Sequence, residues 1–126
     1  MLNKTLAMHC PAAMRDELVA AVRAYVEIKH PEFSDECSQV ARDALLTTAD
    51  DLAAQAGPGQ WTYNRRLRAM VKEAVKLYCM IEAQDTGRPA DARCAALLAA
   101  CQGEPVNERA WRNAIISDSG GDSPDS

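Results

Sequence analysis

The sequence predicts a mostly all-α protein, a compact bundle of four to five helices with one short strand at its N-terminus. Alanine and leucine are abundant and β-branched residues sparse, a balance that favours helices over sheets. Only 5% of residues are aromatic, so close packing has to come from small aliphatic side chains. Over most of the chain the apolar residues recur at intervals of three and four, the period of a helix with one buried face.

The exception is the first segment. From Lys4 to Cys10 the pattern alternates, with Leu6, Met8 and Cys10 on one side and Thr5, Ala7 and His9 on the other, a strand closed by Pro11. From Ala12 the period turns helical through Met14, Leu18, Val22 and Tyr25, widened by Val19 and Val26, and should stop near His30 and Pro31. Ser34 is the expected N-cap of a second helix, with Asp35 and Glu36 facing the positive end of its dipole, and Gly57-Pro58-Gly59 ends that helix near Ala56. A third helix is expected from Trp61 to Glu82, burying Leu67, Met70, Val71, Ala74, Tyr78 and Ile81.

After the break at Gly87-Arg88-Pro89, a fourth helix is expected from Ala90 to Gln102, with Gly103 as its left-handed C-terminal residue. A fifth should run from Asn107 as N-cap to about Ser117, burying Trp111 and Ile115. Residues 1–117 thus read as one helical domain. Residues 118–126 carry no apolar side chain to bury and are expected to form a disordered acidic tail.

A chain of 126 residues is of one-domain size. No run approaches the roughly 18 apolar residues that span a bilayer, and the N-terminus is no secretory signal, so a cytoplasmic protein without membrane contact is expected. The five cysteines (Cys10, Cys37, Cys79, Cys94, Cys101) are odd in number and form no Cys-x-x-Cys pair, so buried free thiols are expected. Cys94 and Cys101 would share a helical face, but no second pair completes a zinc site; neither metal nor cofactor is expected.

Gly-x-Ser-x-Gly, phosphate-loop, dinucleotide and His-Glu-x-x-His motifs are all lacking. The adjacent carboxylates Asp16-Glu17, Asp35-Glu36 and Asp50-Asp51 diverge by about 100° on a helix and read as solvated faces. A non-enzymatic binding protein is therefore expected.

Charge narrows what it binds. Of a net −4, residues 31–60 carry −5 and residues 61–82 carry +3, so a basic segment sits inside an acidic protein. Arg65, Arg68, Lys72 and Lys76 step by three, four and four, which predicts a row opposite the apolar stripe of the third helix. Such a row can follow a phosphate backbone, dock on an acidic surface, or simply face solvent beside the acidic second helix. Ala99-x-x-x-Gly103 before Asn107-Glu108-Arg109-Ala110-Trp111-Arg112-Asn113 invites a helix-turn-helix reading, but Glu104 stands where an apolar residue is expected after the turn glycine, which favours a helical hairpin built for packing.

The strand Thr5 to Cys10 before Pro11, the amphipathic helix after it, and the run Ser38-Gln39-Val40-Ala41-Arg42-Asp43-Ala44-Leu45 together make residues 5–50 resemble a ribbon-helix-helix DNA-binding unit, the family of the Arc and MetJ repressors. The resemblance implies a DNA-binding transcriptional, plasmid or phage regulator acting as a homodimer. Two chains would pair their strands, with Thr5, Ala7 and His9 facing the bases and Leu6, Met8 and Cys10 closing the dimer core. The N-terminus of the second helix would hold a phosphate.

A second reading stays open beside it. The acids of residues 32–51 suit an acidic helical inhibitor or antitoxin from a mobile element, comparable to anti-CRISPR proteins, that offers Asp35, Glu36, Asp50 and Asp51 to a protein or nucleoprotein partner.

Overall fold

The computed structural model describes residues 4–32, 35–57, 59–87 and 91–118, without the side chains of 114–118. Within them lie strand β1 (Lys4–Ala7), helix α1 (Ala12–Lys29), helix α2 (Glu36–Ala54), strand β2 (Gln60–Tyr63), helix α3 (Arg65–Thr86), helix α4 (Asp91–Cys101) and helix α5 (Glu108–Asp118). The expected all-α bundle is what forms: five helices and one two-stranded sheet among the described residues.

α1 is the central element, packing against α2, α3 and α4. Pro11 enters it in extended conformation and its carbonyl accepts the N–H groups of Met14 (3.0 Å) and Arg15 (3.2 Å), so the proline costs the helix no internal hydrogen bond. Met14, Leu18, Val19, Val22, Tyr25 and Val26 are all buried, as their spacing predicts. They meet Leu45 of α2, Val75 of α3 and Leu97 of α4 in one core that also takes in Met8, Trp61 and Trp111. The helix ends at His30, which precedes Pro31; the His30 N–H still reaches Val26 O (2.8 Å) and its Nδ1 lies 3.1 Å from Ser38 Oγ.

α2 is capped one residue later than expected. Ser34 lies outside the described residues; Asp35 is the N-cap, its carboxylate accepting the Ser38 N–H at 2.9 Å. After α2 the chain is held by Arg15, only 6% exposed, whose guanidinium donates to the carbonyls of Gln55 and Gly57. That clamp aims the following residues back across the bundle.

Here the sequence expectation needs correcting. Trp61 does not open the third helix but sits in β2, which pairs antiparallel with β1 in the register Lys4↔Tyr63, Thr5↔Thr62, Leu6↔Trp61, Ala7↔Gln60. Gln60-Trp61-Thr62-Tyr63 alternates and is rich in aromatic and β-branched residues, but its partner is too distant in sequence for local periodicity to reveal. α3 starts only after Asn64, whose side chain accepts the Leu67 N–H at 2.8 Å.

The predicted alternation of β1 is present: Met8 and Cys10 are buried and Leu6 half-buried, while Thr5, Ala7 and His9 are exposed. The apolar side closes this chain's own core, and the ribbon is completed within the chain. Leu6 seats on Gly103, the left-handed residue that ends α4 (φ +74°). Asn107 caps α5 as expected, accepting the Ala110 N–H at 3.0 Å, and Trp111 is buried; Ile115 and the predicted tail fall outside the described side chains.

The thiols divide. Cys10, Cys79 and Cys101 are buried, but Cys94 is only half-buried and Cys37 is exposed on the first turn of α2, against the expectation of burial for all five. Burial pushes the Cys101 thiol up to about 11. Burial, and then the neighbouring Cys94 thiol, also push Cys79 upward.

Two outcomes follow from this packing. A Cβ on Gly103 would lie 2.9 Å from Leu6 carbons, whereas one on Gly87 (φ +71°) meets nothing within 4 Å. In urea unfolding Gly87→Ala should cost about 1 kcal/mol for the left-handed backbone alone, and Gly103→Ala roughly 2 to 4 kcal/mol with the added overlap. Equal costs would remove Leu6 from its seat.

A thiol-reactive disulfide reagent at pH 8 should label Cys37 at once and Cys101 only on unfolding. Because the Cys101 thiol is raised when folded, the stability it contributes is complete below its ordinary value of 9.0 and is lost as pH climbs from there toward about 11. A flat urea midpoint across pH 8 to 11 would contradict that.

Candidate functional site

The strongest charge feature is the N-terminal half of α3. With a rise of about 1.5 Å per residue, Arg65 to Lys76 covers about 16 Å of helix. Arg65, Arg66 and Lys76 are exposed, while Arg68 and Lys72 are half-buried. The row does not stand opposite the apolar stripe as expected but along its flank, because α4 packs on that side. Arg68 reaches Gln102 at the end of α4, Nη2 to Oε1 3.5 Å, and the charges of Lys72 and then Arg68 bear on the Cys101 thiol in the last turn of α4. Two cations of the row thus face the negative end of the α4 dipole.

Most arginines elsewhere in the chain are paired, although Lys29 on α1 and Arg109 on α5 also hold no carboxylate among the described residues. Arg15 holds Asp16 (2.9 Å), Arg23 holds Asp50 (3.0 Å), Arg42 holds Glu27 (3.2 Å), Arg93 holds Glu17 and Glu82, and Arg112 holds Glu108. Among the described residues none of Arg65, Arg66, Arg68, Lys72 and Lys76 holds a carboxylate.

The ribbon extends this basic surface on one of its two faces. Lys4 and Tyr63 are register partners and so project to the same side, where the Arg68 guanidinium stacks 5.6 Å above the Tyr63 ring centroid. Thr5 and Ala7 alternate to the other side, with Thr62 and Gln60; the Thr5 and Thr62 hydroxyls are 3.1 Å apart. His9 is exposed beyond the strand end. The expected DNA-facing set is therefore divided between two faces, Thr5 and Ala7 on one, the α3 row on the other.

The acidic set is dispersed as well. Asp35 is committed to capping α2 and Asp50 to Arg23; Glu36 and Asp51 are exposed. Asp35 and Asp50 lie at opposite ends of α2, about 22 Å apart along its axis.

One constellation escaped the sequence reading. Asp16 is solvated, but the side chain of Glu17 is only 8% exposed. It binds the Arg93 guanidinium and accepts the Trp111 indole N–H at 2.7 Å; Arg93 also meets Glu82 (3.1 Å) and stacks 5.9 Å from the Tyr78 ring centroid. Burial opposes the Arg93 charge, but the Glu17 hydrogen bond and the surrounding negative groups outweigh it and hold the guanidinium more firmly protonated. Burial, reinforced by Glu17 and Glu82, pushes the Tyr78 phenol upward.

The group borders a cleft of about 520 Å³ between α1, α3, α4 and α5. Its polar atoms are spent on one another, which makes it a tie between helices. A signal was there: Glu17 stands three residues after Met14 and four before Ala21, and Arg93 four before Leu97, so each sits on the edge of an apolar stripe.

Among the described residues no group of three or more His, Cys, Asp or Glu is placed to hold a metal ion, and no helix is long and apolar enough to cross a membrane. Compared with protein-family models, curated proteins and solved structures, the chain gives no match.

Removing one partner from a buried ion pair strands the other charge. Arg93→Ala and Glu17→Ala should each lower unfolding stability by about 3 to 5 kcal/mol, and the double variant by clearly less than their sum. Additive losses in a urea double-mutant cycle would dissolve the network.

Proposed function

We propose that this chain is a small, non-catalytic, cytoplasmic regulator that binds duplex DNA through its phosphate backbone, in the manner of plasmid- and phage-borne transcriptional regulators. The observation that carries the reading is the contrast in ion pairing. Arginines on α1, α2 and α4 hold carboxylates, whereas the cations of α3 are left without one among the described residues. Concentrating like charge on one helix of an acidic protein is unfavourable unless an anion arrives to meet it. Phosphates recurring about every 3.4 Å of duplex axis on each strand supply that anion over the length of the row.

The ribbon-helix-helix likeness supports the class of ligand, but the geometry favours another docking element. At the start of α2, where that family would hold a phosphate, the Asp35 carboxylate already takes the Ser38 N–H. Lys4, Tyr63, Arg65, Arg68, Lys72 and Lys76 offer a basic surface interleaved with an aromatic ring in its place.

Binding of random-sequence duplex should weaken with salt, log K falling against log salt with a slope of about −3.6 for four phosphate contacts. Reversing Arg65 and Lys76 to glutamate should abolish the complex, and His9→Ala should leave it unchanged. Absence of any complex at about 50 mM salt would overturn the proposal.

A further inference from the structure

The seam between α3 and α4 holds two thiols that neither the core nor the basic row accounts for, Cys79 and Cys94. The helices run antiparallel, and contacts on either side of the pair fix their register: Glu82 against Arg93 (3.1 Å) and Arg68 against Gln102 (3.5 Å). Cys79 and Cys94 fall between those contacts, on facing turns. Their side chains are hydrogen-bonded to each other. α4 permits the approach because it enters the core through Ala96 and Ala100 beside Leu97, and the side chains at a contact decide where in the range of about 8 to 10 Å two helix axes settle.

The two thiols differ in access. Cys94 is half-buried and within reach of a solute, whereas Cys79 is buried beneath it. Burial, then the charge and hydrogen bond of Cys94, keep the proton on Cys79, with Glu17 adding to them and Arg93 opposing them. Once the Cys94 sulfur is bonded to another sulfur it carries neither a charge nor a thiol hydrogen. Burial and Glu17 then stand alone against the Arg93 guanidinium, and Cys79 gives up its proton more readily than before. The order of reaction is therefore built into the seam: the outer thiol first, the inner thiol second.

We infer that Cys79 and Cys94 form a reversible thiol–disulfide switch, closed by a small soluble disulfide such as oxidised glutathione and reopened by excess thiol. The Cys94 thiolate attacks one sulfur of oxidised glutathione, whose S–S bond breaks, and the departing glutathione thiolate takes up the proton that Cys94 released. The Cys79 thiolate then attacks the Cys94 sulfur and expels the second glutathione, which takes the Cys79 proton. Two electrons have passed from the cysteines to the oxidant, leaving one protein disulfide and two glutathione thiols. A disulfide made and broken in this way is the kind that a reducing compartment supports. The bond ties α3 to α4 over 15 residues that include the turn at Gly87, and it does so whatever the α3 row binds.

The test uses the full chain with Cys37→Ser, which removes the exposed thiol that would otherwise take glutathione. Folded and reduced, it is incubated with millimolar oxidised glutathione at mildly alkaline pH, quenched in acid, alkylated, weighed intact and mapped by peptides. It should lose two hydrogens, with Cys79 joined to Cys94 while Cys10 and Cys101 stay free, and excess reduced glutathione should restore both thiols. Adding Cys79→Ser should leave one glutathione trapped on Cys94, and adding Cys94→Ser should leave none. In urea the closed form should have an unfolding constant roughly 100-fold smaller than the reduced form, as a loop of this length implies. Both thiols left free, glutathione retained on Cys94 beside an intact Cys79, or a bond to Cys10 or Cys101 in their place would overturn the inference. Pairing seen only in urea would overturn it as well, and so would a closed form less stable than the reduced one, since the sulfurs would then have been forced together.

Discussion

The arrangement of the bundle depends on a single buried contact, the grip of Glu17 on Arg93 and Trp111. A carboxylate on the central helix and a guanidinium on α4 leave water together, and the desolvation is offset only because each finds more than one partner: Glu17 takes Arg93 and the Trp111 indole, Arg93 adds Glu82 and the Tyr78 ring. α4 is rich in alanine and α5 is short, so neither brings much apolar surface of its own. Four helices converge on the tie, which makes their relative placement a matter of hydrogen-bond geometry as much as of apolar burial.

That placement decides where the basic helix can present its charge. With α4 against the flank of α3, Arg68 and Lys72 are drawn partly into the seam, where they face the carbonyl end of α4, while Arg65 and Lys76 stay in water. The row is therefore anchored at its middle and open at its ends. Acids are concentrated on α2, at whose far end Asp50 is already neutralised by Arg23. Charge separation within a chain of net −4 thus arises from packing and from the order of the helices.

What the sequence made legible is what local periodicity can carry. The buried stripe of α1, the caps at Asn107 and Gly103, and the inward alternation of Leu6, Met8 and Cys10 could all be seen from spacing, because each depends on neighbours within a turn or a pleat. The misplaced start of α3 has the opposite cause: Trp61 belongs to a strand only because β1 lies beside it. Local spacing makes Glu17 read as solvated because its partners sit on other helices, at separations of 76 and 94 residues. The pairing of the ribbon inside the chain, and the separation of Thr5 and Ala7 from the basic row on its other face, are likewise products of long-range topology.

The ribbon also sets an order of events at the ribosome. Thr5 meets Thr62 across 57 residues, so the first strand made is among the last to find its place. At synthesis rates of about 5 to 20 residues per second it waits roughly 3 to 11 s for β2 to emerge. During that interval Leu6 of β1, with Met8 and Cys10 beyond the strand, is an apolar segment with nothing to pack against, and the strand's edge is open to chaperones or to the same segment of a neighbouring nascent chain.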